Sequence, residues 1–219
     1  EGPNEELVKL IDVVTTNKTD FFREAAHFDF LTEVALPHLI NTYQAGVDRP
    51  LRVWSAGCSS GEEAYTLAMV LSEVSEAIPK FRFTILATDI STLVLEKARQ
   101  GIYSMERVEP VDLALKKKYL LRGKGDQQKM VRVIPKLRSL VTFRRLNFLD
   151  RDFDLDHPMD IIFCRNVIIY FDQATQKTLL EKLAGSLSPG RYIFMGHSET
   201  LNGLNLPLSQ VSPSVYQKR

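Results

Sequence analysis

Apolar residues recur at three- and four-residue spacing along 4–14 and again along 20–45, so both stretches are predicted to be helices. The polar run Thr15-Thr16-Asn17-Lys18-Thr19 between them is a turn rich in N-cap residues. After a break at 46–50 the pattern changes. Short apolar runs at 51–55, 82–88, 140–143, 159–164 and 192–195 read as strands. Longer amphipathic stretches at 62–76, 92–100 and 173–187 read as helices, and Ser188-Pro189-Gly190 reads as a turn. Two further apolar runs, at 206–211 and 214–217, predict an antiparallel edge. Strands that alternate with helices predict an α/β fold: a doubly wound, mostly parallel sheet covered on both faces.

One connection breaks this rhythm. A crossing between strands needs only a few residues. Residues 101–139 instead hold a helix-like piece at 111–121, a turn at Arg122-Gly123-Lys124-Gly125-Asp126 and a strand-like 130–134. This predicts a small inserted β-subdomain. The expected division is N-terminal helices in 1–48, a main domain in 49–100 and 140–219, and the insertion in 101–139. Charge sharpens the picture. The formal net charge is +1, yet 116–145 carries eleven Lys/Arg and one acid, Asp126, against 17 basic and 26 acidic residues elsewhere. The insertion therefore carries a concentrated basic surface on an otherwise acidic protein.

With 219 residues, 44% of them hydrophobic, the chain can bury a full core. Its two cysteines, Cys58 and Cys164, show no metal-type spacing and read as small packing residues, and the histidines show no partners that suggest a metal. A reducing, cytoplasmic setting without membrane insertion is expected, because no apolar run reaches the length of a span and no signal peptide is visible. The chain begins at Glu1 rather than Met, so further sequence upstream is expected.

Candidate chemistry centres on Val53-Trp54-Ser55-Ala56-Gly57-Cys58-Ser59-Ser60-Gly61-Glu62-Glu63. The turn beginning Ala56-Gly57 follows the first strand, where open α/β sheets bind ligands. It lacks G-x-G-x-x-G spacing, and Glu62 and Glu63 in the first helical turn would repel a pyrophosphate. A nucleoside with positive charge and no phosphate fits better, and S-adenosylmethionine has those properties. The alternative is plain capping, with Ser59/Glu62 or Ser60/Glu63 as S-x-x-E. Asp89, ending the second strand, can accept both ribose hydroxyls, or can act like an N-cap before the next helix. Asn147, Phe148, Arg165 and Asn166 fall at the same rim, where Asn147 could bond adenine with Phe148 packing on it, or each could be a turn residue.

These segments, with Thr15-Thr16-Asn17-Lys18-Thr19-Asp20-Phe21-Phe22-Arg23-Glu24, Ala87-Thr88-Asp89-Ile90, LVLEKARQGIY at 93–103, IFCRNVIIYF at 162–171 and Gly196-His197-Ser198-Glu199, resemble the chemotaxis-receptor glutamate O-methyltransferases, the CheR family. The resemblance runs through nearly the whole chain. It implies a class I SAM-dependent methyltransferase fold and a helical N-terminal domain of which this chain keeps the last helices. It implies cofactor contacts from Asn17, Thr19, Arg23, Glu62, Asp89, Asn147, Phe148, Arg165 and Asn166, and puts Arg23 and Tyr170 beside the reacting centre. Family members carry an aliphatic residue where Phe148 stands, so a main-chain contact is expected there.

The implied reaction is in-line methyl transfer to a receptor glutamate, leaving S-adenosylhomocysteine. That carboxylate is already ionised near neutral pH, so neither a general base nor a metal is required. Arg23 would orient the glutamate or the cofactor's carboxylate, and Tyr170 would hold the glutamate by a hydrogen bond. On the residues alone, Arg23 reads as a surface helix ion pair, and Tyr170 could equally be an aromatic packed with Phe171. His197 reads as a structural or substrate-loop residue. The implied partners are methyl-accepting chemotaxis receptors, acidic helical bundles that a basic face would steer. In some members the insertion also captures the receptor's C-terminal tail by strand addition, and Gly123-Lys124-Gly125 resembles their loop. The rival readings are a nucleic-acid methyltransferase and a non-catalytic cofactor-sensing module. Arg165-Asn166-Val167-Ile168 lacks the proline-rich loop of base-amine methylation, so no nucleic-acid partner is expected.

Overall fold

The structure, a computed structural model, describes residues 19–201 and 203–219. The helix expected at 4–14 and the candidate ligand Asn17 lie outside the described residues. Seven strands form the main sheet: β1 (Leu51–Ala56), β2 (Phe83–Asp89), β6 (Val141–Arg145), β7 (Met159–Cys164), β8 (Leu187–Met195), β9 (Leu208–Ser212) and β10 (Val215–Lys218). Their order is β6-β2-β1-β7-β8-β10-β9, with β6 through β8 parallel and the last two antiparallel to their neighbours. The chain winds outward from β1 in both directions, so the order reverses between β1 and β7.

Alternate side chains of β1 serve opposite faces, as a strand requires. Leu51 and Val53 enter one apolar cluster, and Trp54 and Ala56 the other. The Trp54 indole donates to Thr88 Oγ1 at 2.9 Å, which satisfies its N–H inside the core.

The first helix, α1, is α-helical at Ala26–Phe30, π-helical at Leu31–Ala35 and α-helical again at Leu36–Tyr43. It begins later than the apolar spacing predicts. Phe22 and Glu24 adopt φ of 53° and 57°, which a right-handed helix cannot contain. The wide turn falls just before Pro37, which has no N–H for the carbonyl of Glu33 and whose ring would crowd it.

The other helices of the main layer are α2 (Glu62–Ala77), α3 (Thr92–Gln100) and α6 (Gln173–Gly185). Strand β8 starts five residues earlier than expected, running through the predicted turn with a register shift opposite Met159 and Ile161. Gly190 permits this: it sits at φ 77°, and a Cβ there would lie 2.0 Å from the Tyr43 hydroxyl.

Between α3 and β6 lies a second, antiparallel sheet, β3 (Ile102–Ser104), β5 (Met130–Val133) and β4 (Leu120–Arg122), with two short helices, α4 (Leu113–Tyr119) and α5 (Pro135–Arg138). The outer strands have three residues each, too few for periodicity to reveal. This sheet docks on α2. The Tyr103 hydroxyl donates to the Ser60 carbonyl at 2.7 Å, and Lys118 pairs with Glu73 and Glu76 at 2.7 and 2.6 Å. Part of the basic run therefore seats the sheet rather than facing a partner. Cys58 and Cys164 are buried and free, with thiol pKa values pushed up by burial, as expected of packing residues. No helix among the described residues is long and apolar enough to cross a membrane.

At the opposite edge from the ligand rim, Asp160 is fully buried. It accepts both terminal nitrogens of Arg49 at 2.6 Å, Arg191 Nε at 2.9 Å and the amide of Arg52 at 3.0 Å. Burial alone would raise its carboxyl pKa, and these donors win and hold it low. Removing the carboxylate leaves buried Arg191 without its partner. Asp160→Ala is therefore expected to lower the unfolding free energy by about 3 kcal/mol in urea titrations. A loss below about 1 kcal/mol would show that the cluster contributes little.

Candidate active site

The crevice between the C-terminal ends of β1 and β7 is where a doubly wound sheet takes its ligand. Past Ala56 the chain turns through Gly57, Ser59 and Gly61 at φ of 85°, 48° and 95°. The amides of Gly57 and Cys58 both donate to the Thr88 carbonyl, at 2.8 and 2.9 Å. The Asp89 carboxylate then takes the Ser59 amide at 2.8 Å on one oxygen and the Ser91 amide at 3.0 Å on the other. It does not cap α3; Ser91 does, its Oγ accepting from the Val94 amide at 3.3 Å. A Cβ on Gly57 would lie 2.5 Å from Val167 Cγ2, so this turn touches the loop after β7.

The capping alternative for the turn is not realised. Gly61 is the N-cap of α2 and offers no side chain. The Ser60 hydroxyl instead donates to Glu62 Oε2 at 2.7 Å, and Ser55 to Glu63 Oε1 at 2.7 Å. Glu62 is 1% exposed, and burial pushes its pKa up, while the Ser60 hydrogen bond and Arg107 pull it back. Burial also raises Glu63, with Arg165 and Ser55 as the opposing influences.

Two arginines organise these carboxylates. Arg107, from the segment after β3, lies 3.9 Å from Glu62 Oε1 and donates to the Thr19 carbonyl at 2.6 Å and to Asp20 at 3.0 Å. It stands outside every motif read from the sequence, and nothing there marked it. Arg165 was expected at the rim but is 7% exposed, a buried hub. Its Nη1 lies 3.6 Å from Glu63, its Nε 3.4 Å from Glu24, and its Nη2 donates to the Arg23 carbonyl. Its guanidinium lies over the rings of Phe28 and Phe163, at 5.7 and 6.0 Å. Arg23 is half-buried, and its charge acts on Glu63.

The remaining candidates divide. Asn147 forms a turn: its Oδ1 accepts the Leu149 amide at 3.0 Å. The Phe148 ring packs edge-on against Phe153 at 6.1 Å. Asn166 sits at φ 58°, and its buried Oδ1 has no hydrogen-bond partner among the described residues. Tyr170 ends a 3₁₀ turn (Ile168–Tyr170) and is 60% exposed, whereas Phe171 packs on the core, so Tyr170 is not part of that cluster.

The histidine expectation needs correction. Glu24, His27 and His197 bring potential metal-ligand atoms within 4.8 Å of one another, although they are far apart in sequence. Arg165 lies against the same Glu24 oxygen. His27 is buried with neither ring nitrogen hydrogen-bonded; burial first, then Arg165, lowers its pKa to about 4. The expected loop position of His197 agrees with its exposure and with its amide donating to Glu24 at 3.3 Å.

The strand order, the antiparallel edge and the acid-flanked turn are those of a class I SAM-dependent methyltransferase fold. Residues 17–216 match the family described as "CheR methyltransferase, SAM binding domain". The chain is 44% identical over 98% of its length to a "Chemotaxis protein methyltransferase" of Borreliella burgdorferi, covering 75% of that protein. It is 42% identical over 94% of its length to "Chemotaxis protein methyltransferase 2" of Pseudomonas aeruginosa, covering 71% of it. A "Chemotaxis protein methyltransferase" of Escherichia coli matches at 40% over 94% of this chain and 68% of its own length. The chain belongs to the CheR methyltransferase family.

His27 generates a pH prediction. The folded protein holds it near 4, against about 6.5 when unfolded, so the unfolded state binds the proton first. Its contribution is complete above about pH 6.5 and is lost as pH falls toward 4, by roughly 3 kcal/mol. Urea unfolding at about pH 7 and about pH 4.5 should show a smaller drop in His27→Phe, whose ring can pack on Phe194 as His27 does. Equal drops in the two proteins would contradict this.

Proposed function

We propose that this protein transfers the methyl group of S-adenosylmethionine to glutamate side chains of chemotaxis receptors, forming methyl esters. The observation that carries the reading is the crevice itself. Its turn is lined by buried Glu62 and Asp89 and lacks the glycine spacing for a pyrophosphate, and the loop across the switch point carries Asn166, whose buried Oδ1 has no partner among the described residues. These groups suit a cationic nucleoside. The Asp89 carboxylate accepts the Ser59 and Ser91 amides, one on each oxygen, and stands where the ribose hydroxyls of a nucleoside across the strand ends would donate to it. Glu62 supplies negative potential, Asn166 an acceptor, and Asn147 with Phe148 the far wall for a base. Ala56, Gly57, Thr19 and Arg23 complete the lining.

The bound cofactor supplies an electrophilic methyl on sulfur. The chain's own residues hold and orient. The incoming glutamate is already anionic, so no side chain has to remove a proton and no metal is called for. Tyr170, exposed at the mouth, donates a hydrogen bond that fixes the carboxylate. Arg23 steers the same anion or the cofactor's carboxylate. Closure of the receptor over the crevice excludes water. On this reading 101–139 is an inserted subdomain whose remaining basic residues meet an acidic receptor, whose sheet edge takes its tail, and the setting is cytoplasmic. Against a nucleic-acid substrate, Lys118 is already engaged by Glu73 and Glu76.

Incubation with radiolabelled cofactor and receptor-containing membranes should label the receptor, and mild base should release the label, as for a carboxyl ester. Tyr170→Phe should lower kcat about tenfold, the value of one lost hydrogen bond, and leave cofactor affinity unchanged. Base-stable label, or unlabelled receptors, would defeat the reading.

A further inference from the structure

The loops that follow β7 and β8 meet on one buried side chain. Glu199 is 3% exposed, and both of its oxygens accept main-chain amides. Oε2 takes Asn166 at 2.8 Å and Gly196 at 2.7 Å, and Oε1 takes Val167 at 2.7 Å and Ile168 at 2.8 Å. The Glu199 amide in turn donates to the Gly196 carbonyl at 2.9 Å, closing its own turn.

Those four amides lie past the ends of their strands, where no ladder partner exists. Buried donors need an acceptor. A single carboxylate meets all four, and no neutral side chain of that size offers four acceptor sites. The bonds also fix the chain where Asn166 sits at φ 58°, a left-handed conformation that asparagine tolerates better than most non-glycine residues. The fit is close: a Cβ on Gly196 would lie 2.6 Å from Asn166 Nδ2 and 2.9 Å from Glu199 Oε2.

The geometry points to Glu199 as a positioning residue for methyl transfer, acting through the Arg165–Tyr170 loop. Its two oxygens are engaged by the four amides, so it acts through the backbone rather than on the reacting groups. It fixes the loop that carries Asn166, with its buried, unpartnered Oδ1, and exposed Tyr170. The inference rests on the reading that this loop serves the cofactor and substrate.

Glu199→Gln replaces one acceptor oxygen with a donor facing two amides. Glu199→Asp keeps both acceptors on a shorter arm. Gly196→Ala leaves the carboxylate intact and pushes the two loops apart. Three readouts are taken on each protein: amide hydrogen exchange, the Kd for S-adenosylhomocysteine, and kcat with KM for methyl transfer. In Glu199→Gln, protection of the amides of Gly196, Asn166, Val167 and Ile168 should fall while that of the β1 and β7 ladder persists. The Kd should weaken by about tenfold or more, one charge-assisted hydrogen bond's equivalent, and kcat should fall with it. Glu199→Asp should recover part of both, and Gly196→Ala should reproduce the loss with Glu199 present.

A lower Tm with unchanged Kd and kcat would make Glu199 merely structural and overturn the inference, as would unchanged exchange at the four amides. If any variant fails to fold, the remaining two decide by the same criteria. Wild-type protein that binds the nucleoside but methylates no receptor would sink the proposed function alone, because the exchange and Kd readouts still judge the clamp.

Discussion

Parallel strands that end at a common edge leave their next main-chain amides without ladder partners, and here those amides are buried or partly buried between neighbouring loops. The fold supplies them with acceptors. It does so with the Thr88 carbonyl and with two carboxylates, Asp89 on one side of the switch point and Glu199 on the other. The shape of the crevice follows from that requirement. The turn after β1 is tied to the end of β2, the loop after β7 is tied to the loop after β8, and Gly57 lets the two halves meet on Val167. Asp89 anchors Ser59 and Ser91, and under the proposed function the same carboxylate also accepts the sugar.

The acids of the crevice are held by cations from distant parts of the chain. Arg165 joins Glu63 and Glu24, so it links α2 to the segment leading into α1. Arg107 joins Glu62 to Thr19 and Asp20, so it links the smaller sheet to the same N-terminal segment. Removing either guanidinium would leave carboxylates in low dielectric with less to offset their charge. The smaller sheet is thereby a neighbour of the proposed ligand site.

Much of the main sheet was legible because buried parallel strands are continuous apolar runs and their helices carry clear periodicity; 92–100 and 159–164 agree residue for residue with α3 and β7. The misses have physical causes. Strands β3 and β4 are too short to show a period, and left-handed residues at Phe22 and Glu24 delay α1 where propensity favoured a helix. Strand β8 runs on through Pro189-Gly190 because an irregular register tolerates both. Around the crevice, the positions of Asp89, Glu62 and Asn166 just past the ends of strands could be read from the sequence. The burial of Arg165, the reach of Arg107, the meeting of Glu24 with His27 and His197, and the four amides on Glu199 all depend on contacts between segments remote in sequence, which no local pattern encodes.

The central claim is that the acid-flanked crevice receives a phosphate-free, cationic nucleoside with its sugar on Asp89. A crystal structure with S-adenosylhomocysteine bound tests this most directly. The account predicts both ribose hydroxyls within hydrogen-bond distance of the Asp89 carboxylate and the nucleoside lying across the ends of β1 and β2. A nucleoside bound elsewhere, or a ribose turned away from Asp89, would contradict it.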